Sequence, residues 1–139
     1  MTAEVAPARV SVNQLTHAII AAAMKVHSTL GPGLLESAYE ACLAFELRKA
    51  GHHVETQVGL PVIYEGVRLE VGYRIDIVVD DLVVLEIKSV DAVAPIHEAQ
   101  LMSYMKLSGR SVGLLINFNV VHLRDGIRRM VIGNTWRNN

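Results

Sequence analysis

The stretch Arg74-Ile75-Asp76-Ile77-Val78-Val79-Asp80-Asp81-Leu82-Val83-Val84-Leu85-Glu86-Ile87-Lys88 decides the architecture. Two aliphatic, β-branched runs flank an Asp-Asp turn signal, the pattern of an antiparallel strand pair. Side chains alternate faces along a strand, so Arg74, Asp76 and Val78 share one side, and Val84, Glu86 and Lys88 share one side of the partner. If Val79 pairs with Val83 across a three-residue turn, then Ile77 faces Leu85, Ile75 faces Ile87, and Asp76 lies opposite Glu86. A two-residue turn would instead set isoleucines against charges and divide the carboxylates between the faces. Because a one-residue slip turns every side chain to the other face, the apolar pattern selects the longer turn.

Two carboxylates a few ångströms apart on neighbouring strands repel each other and resist leaving water unless a cation lies between them. Lys88 is one candidate and a divalent metal is the other. An all-oxygen ligand set suits Mg²⁺ or Mn²⁺ better than zinc. Such a metal polarises a phosphate and lowers the pKa of bound water, and a nearby lysine can orient that water or help deprotonate it. The competing reading is an acid–lysine ion pair on a solvated sheet face. The aliphatic neighbours on both sides favour burial of both faces, and with it the metal.

The rest of the chain supplies an α/β domain with a mixed central sheet flanked by helices. Ser11 or Asn13 can cap a first helix over 13–30, with Leu15, Ile19, Ala22, Ala23 and Val26 as its apolar stripe. Gly31-Pro32-Gly33 ends it, and a second helix over 34–50 stops at Gly51. Leu35, Ala38, Tyr39, Cys42, Leu43, Phe45 and Leu47 are its expected buried side. Strands follow over 54–64 and 67–79, joined at Glu65-Gly66, and then over 82–90. Pro95 opens a helix that runs to Ser108, followed by strands over 111–118 and 128–132. A lead-in over 1–12, one domain over 13–133 and a tail over 134–139 complete the division.

At 139 residues and 51% hydrophobic, the chain holds one compact domain with its own core. Its net charge of −1 lacks the basic excess of a dedicated duplex binder, so nucleic-acid binding is expected to be weak and salt-sensitive, or assisted by a partner. The single cysteine, Cys42, allows no disulfide within the chain and reads as a small core residue. The apolar run 18–24 is far short of the ~20 residues that span a bilayer, and the expectation is a cytoplasmic protein with no membrane association. Valine-rich strands are compatible with a homodimer.

The spacing of Asp76, Glu86 and Lys88 resembles the D-x(n)-E-x-K signature of the PD-(D/E)XK nuclease superfamily. The stretch Gly33-Leu34-Leu35-Glu36-Ser37-Ala38-Tyr39 matches the motif that names the GxxExxY proteins within it. Gln100-Leu101-Met102-Ser103-Tyr104 is similar to the Q-x-x-x-Y element of RecB-like members. The resemblance departs at Ile75, where the superfamily's name has proline. It implies a restriction-endonuclease-like αβββαβ core and a Mg²⁺- or Mn²⁺-dependent nuclease cutting nucleic acid, DNA in preference to RNA. It also implies that Asp76, Glu86 and the Ile87 carbonyl hold the metal, with Glu36 as an additional acid and Lys88 beside the attacking water. Gln100 and Tyr104, four apart on one helix face, would steady the site or touch the nucleic acid.

Other residues carry two readings. Glu36 also suits the first turn of a helix through the helix dipole. Tyr39 is either site support or a packing residue whose hydroxyl finds a polar partner. His97 either reaches the site or caps its helix. Arg74, on the face of Asp76, is a candidate partner for a site carboxylate or a phosphate. The functional alternative is a non-catalytic binding or regulatory module that keeps the nuclease fold.

Overall fold

The computed structural model describes residues 11–133. The expected lead-in, apart from its last two residues, and the expected tail lie outside the described residues. Helices α1 (Val12–Leu30) and α2 (Glu36–Lys49) precede strands β1 (Val54–Tyr64), β2 (Val67–Val79) and β3 (Val83–Lys88). Helix α3 (Pro95–Ser108), β4 (Val112–Asn117), a short 3₁₀ turn (Leu123–Gly126) and β5 (Ile127–Val131) follow. The five strands form one sheet in sequence order, antiparallel except for β3–β4, which are parallel and joined through α3. This is the mixed sheet read from the element order.

Local signals place the elements. Ser11 caps α1 through a box with Gln14: the Gln14 N–H donates to Ser11 Oγ and the Ser11 N–H to Gln14 Oε1. Glu65 and Gly66 both take positive φ (50° and 77°), the turn whose twist matches a two-residue hairpin. Asp80 and Asp81 also take positive φ, and the Leu82 N–H closes on the Val79 carbonyl, which makes the three-residue turn. Val79 therefore pairs with Val83 and Ile77 with Leu85, the register that the apolar pattern selects.

Two cores sandwich the sheet. On one side, Leu15, Ile19 and Val26 of α1 and Tyr39, Leu43 and Leu47 of α2 pack on Ile77, Val79, Leu85 and Ile87. On the other, Leu101, Tyr104 and Met105 of α3 cover Leu60, Ile75, Val78 and Val84. Burial of both faces explains the near-continuous aliphatic strands.

Three expectations are corrected. Leu35 and Phe45 are exposed instead of buried. Leu35 is the extended residue before α2, and Phe45 lies two positions from both Leu43 and Leu47, about 200° around the helix from a stripe spaced by four. Cys42 is only partly buried, at the edge of that stripe. Ile75 does not share a face with Ile87: it packs under α3, whereas Ile77 and Ile87 pack under α1 and α2. The chain thus changes faces around Asp76.

Candidate functional site

That change of face is where β2 and β3 part. The backbone ladder ends at Ile77–Leu85, and the same register carried one step further sets Asp76 opposite Glu86. There the side chains replace the ladder: the Asp76 N–H donates to Glu86 Oε1 (3.2 Å) and the Ile87 N–H donates to Asp76 Oδ2 (2.9 Å). Each carboxylate satisfies a backbone donor of the opposite strand and holds the fork open.

The two acids are electrostatically strained. Glu86 is only 4% exposed. Burial, and then the charge of Asp76, push its carboxyl from 4.5 up to about 8. A backbone donor and Lys88 pull the other way without offsetting this. Without a cation the fork thus resists a second negative charge beside Asp76, and an oxygen-ligated cation would allow Glu86 to ionise there.

Lys88 extends from the end of β3 toward α3. Its Nζ donates to Gln100 Oε1 (3.2 Å), and Gln100 Nε2 donates to Tyr104 Oη (3.1 Å). Lysine can only donate, so the amide orientation of Gln100 is fixed and Tyr104 keeps its own proton for another acceptor. Burial raises the Tyr104 pKa, which keeps that proton in place. The Gln100/Tyr104 pair that the resemblance implies thus meets the lysine of the strand pair.

Asn117 anchors the exit of β3. It lies beside Lys88 in the β3–β4 register, accepts from the Val90 N–H and donates to the Val90 carbonyl, each at 3.0 Å. The Phe118 N–H meets the Lys88 carbonyl.

The Gly33–Tyr39 motif acts on the same segment from the other side. Tyr39 is fully buried and stacked on Phe118, with ring centroids 4.5 Å apart. Its hydroxyl donates to the Gly31 carbonyl (2.5 Å) and accepts from the Leu34 N–H (3.1 Å). Tyr39 is therefore a packing residue that shapes the loop before α2. Glu36, at the first turn of α2, accepts from the Ser89 N–H (3.2 Å), and Ser89 Oγ donates to the Leu34 carbonyl (2.6 Å). Glu36 thus ties α2 to the residue that follows Lys88.

The acid that approaches Asp76 is Glu40, one turn further along α2. Gln57 bridges them, donating to Glu40 Oε1 (2.7 Å) and more distantly to Asp76 Oδ1 (3.4 Å). Burial, then the Asp76 charge, raises the Glu40 carboxyl. Sequence reasoning missed both residues. Glu40 was within reach, because it stands four after Glu36 on the same helix face. Gln57 was not, because its positive φ of 52° inside β1 carries no sequence signal.

Two candidates stand elsewhere. Arg74 is exposed and lies across Gly59 of β1, where a Cβ would come within 2.7 Å of its Nη1. Among the described residues no ion pair joins it to Asp76 or Glu86. His97 caps its own helix by accepting the Ala94 N–H at Nδ1 (3.0 Å), so its neutral ring carries the proton on Nε2. It also lines a cleft beside Lys88.

A carboxylate pair at a strand fork with Glu86 buried and Asp76 half-buried, a lysine two residues on, and a mixed sheet between helices together define a nuclease-like α/β protein. A family model described as the PD-(D/E)XK nuclease superfamily matches residues 13–130, and the chain belongs to that superfamily. The fold is accordingly restriction-endonuclease-like. No curated protein and no solved structure matches the chain. Among the described residues no helix is long and apolar enough to cross a membrane, and no three His, Cys, Asp or Glu side chains are gathered closely enough to hold a metal ion.

Proposed function

We propose that this protein is a Mg²⁺- or Mn²⁺-dependent nuclease of the GxxExxY type that hydrolyses phosphodiester bonds, DNA in preference to RNA. The observation that carries this reading is the fork, where Asp76 and buried Glu86 replace the β2–β3 ladder with Lys88 at its end. Members of the superfamily generally use divalent metals. The donors present fit such an ion: two carboxylates, each with one oxygen outside its bond to the opposite strand, and the Ile87 carbonyl beside them. Asp76, Glu86 and Ile87 would hold it, with Glu36 or Glu40 approaching from α2. When bound, it supplies Lewis acidity toward the phosphate and a more acidic water.

The protein's own groups do the rest. Lys88, oriented by Gln100, presents a cationic donor to the attacking water or the phosphate oxygen. Tyr104 steadies Gln100. Glu36 and Asn117 hold the segment that follows Lys88 from opposite sides, and Tyr39 sets the loop that carries Glu36. His97 lines the approach, and Arg74 contributes charge on the hairpin outside the carboxylate pair. A net charge of −1 is consistent with weak or partner-assisted binding of nucleic acid, a cytoplasmic setting and a homodimer being part of the same reading.

A non-catalytic module is favoured by one observation: each carboxylate already has a backbone partner, and no third ligand is gathered with them among the described residues. The assay that separates the readings incubates linear duplex DNA, single-stranded DNA and RNA with Mg²⁺, Mn²⁺ or EDTA, beside Asp76→Ala and Lys88→Ala. The nuclease gives metal-dependent cleavage that both substitutions abolish. Cleavage that persists in both variants rules out the site, and absence of cleavage with every metal supports the module.

A further inference from the structure

Beside the fork a cleft of about 650 Å³ opens between the β1–β2 hairpin and α3, and it shares Lys88, Gln100 and Tyr104 with the candidate site. Its remaining walls are unlike a surface that tracks a phosphate backbone. Lys88 is the one lysine or arginine among the described residues that line it. Tyr73 stands 47% exposed on the hairpin, with its ring tilted against Tyr104 at 5.9 Å, so much of the Tyr73 ring is open. Across from it, Ile96 at the start of α3 is 70% exposed and Leu107 also remains uncovered. The polar groups at the walls, besides Lys88 and Gln100, are short-range hydrogen-bonding groups: His97 Nε2–H, the Ser103 hydroxyl and the proton of Tyr104 Oη.

We propose that this cleft holds one unstacked base of a single strand whose phosphate lies at Asp76, Glu86 and Lys88, so that the substrate is single-stranded or frayed nucleic acid. The inference rests on the nuclease reading above and deepens it. A duplex offers stacked bases and a charged backbone, and its recognition draws on many cations. A lone strand offers a base face, which an aromatic ring and aliphatic walls can take whatever the sequence. Continuity with Lys88 fixes the register, because the base enters next to the phosphate that is cut.

The test uses a single-stranded DNA oligonucleotide carrying one 2-aminopurine, the same strand in a duplex, and the strand with an abasic site at that position. With Ca²⁺ in place of the cleaving metal, binding of all three nucleic acids is followed by the anisotropy of a 5′-fluorescein. Seating of the base is followed by 2-aminopurine quenching in the single strand, and cleavage is read separately with Mn²⁺. Quenching of the single-stranded probe is expected, with affinity about 10-fold or more weaker in Tyr73→Ala and near wild type in Tyr73→Phe. Ile96→Ser, an uncharged change at an exposed position, should weaken the single strand and leave duplex binding unchanged. Equal losses for single strand and duplex, or an abasic strand that binds as tightly as the intact one, would overturn the cleft assignment. Those results would leave the nuclease reading standing, whereas cleavage unaffected by Asp76→Asn would remove that reading itself.

Discussion

Replacing Glu86 by glutamine should make the metal-free protein more stable at pH 8, although it removes a candidate metal ligand. The folded protein holds this carboxyl up to about 8, against 4.5 for an unperturbed glutamate, first through burial and then through Asp76. Between those pH values the unfolded chain has released the proton and the folded chain keeps it. Stability associated with Glu86 is thus full below pH 4.5 and is lost as pH rises toward 8. One pKa unit corresponds to ~1.4 kcal/mol, so the interval sets a ceiling of about 5 kcal/mol. Water entering the fork on the Glu40 side should reduce the measured difference to about 2–3 kcal/mol. Glutamine imitates the protonated acid: its oxygen can keep the Asp76 N–H, and its amide can face the Asp76 carboxylate. Urea unfolding of wild type and Glu86→Gln in EDTA from pH 5 to pH 8 reads the effect. The variant should gain on wild type as pH rises, and Mg²⁺ or Mn²⁺ should restore wild type alone. Parallel pH profiles would refute the claim that Glu86 is a strained acid.

Other outcomes follow from the supporting bonds. Gln100→Leu should lower cleavage about 10- to 100-fold with little change in urea midpoint, because it releases Lys88 and Tyr104 at a partly exposed position. Asn117→Leu strands the Val90 N–H and carbonyl and should cost about 2–3 kcal/mol in urea unfolding. Tyr39→Phe keeps the Phe118 stack but loses two loop bonds. It should cost about 1–2 kcal/mol, with faster hydrogen exchange at Leu34 and Ser89.

The fork was legible because its residues constrain one another. Only one register keeps Ile77 against Leu85, and that register brings Asp76 and Glu86 together. The start of α3 was legible because Pro95 alone decides it, whereas α1 had two candidate caps, Ser11 and Asn13, of which Ser11 is the cap. What escaped depends on how elements dock. Alternation placed Ile75 with Ile87, but a ladder broken by two carboxylates turned Ile75 beneath α3. Periodicity placed Phe45 inside, whereas α2 buries only the narrow Tyr39–Leu43–Leu47 stripe, together with Ala44. Strand parity makes Arg74 a candidate partner for a site carboxylate or a phosphate, and its guanidinium lies over β1, where the missing side chain of Gly59 gives it room. Glu40 enters the site because α2 presents a second turn toward Asp76, a matter of helix placement rather than motif.

The central claim is that Asp76 and Glu86 together form a seat for one divalent cation. Titration of Mn²⁺ into the purified protein, read by calorimetry and by the loss of free-ion electron paramagnetic resonance signal, tests it without any choice of substrate. One saturable ion per chain is expected, abolished by Asp76→Asn and retained in Gln100→Leu. No saturable binding, or binding that Asp76→Asn leaves intact, would contradict it.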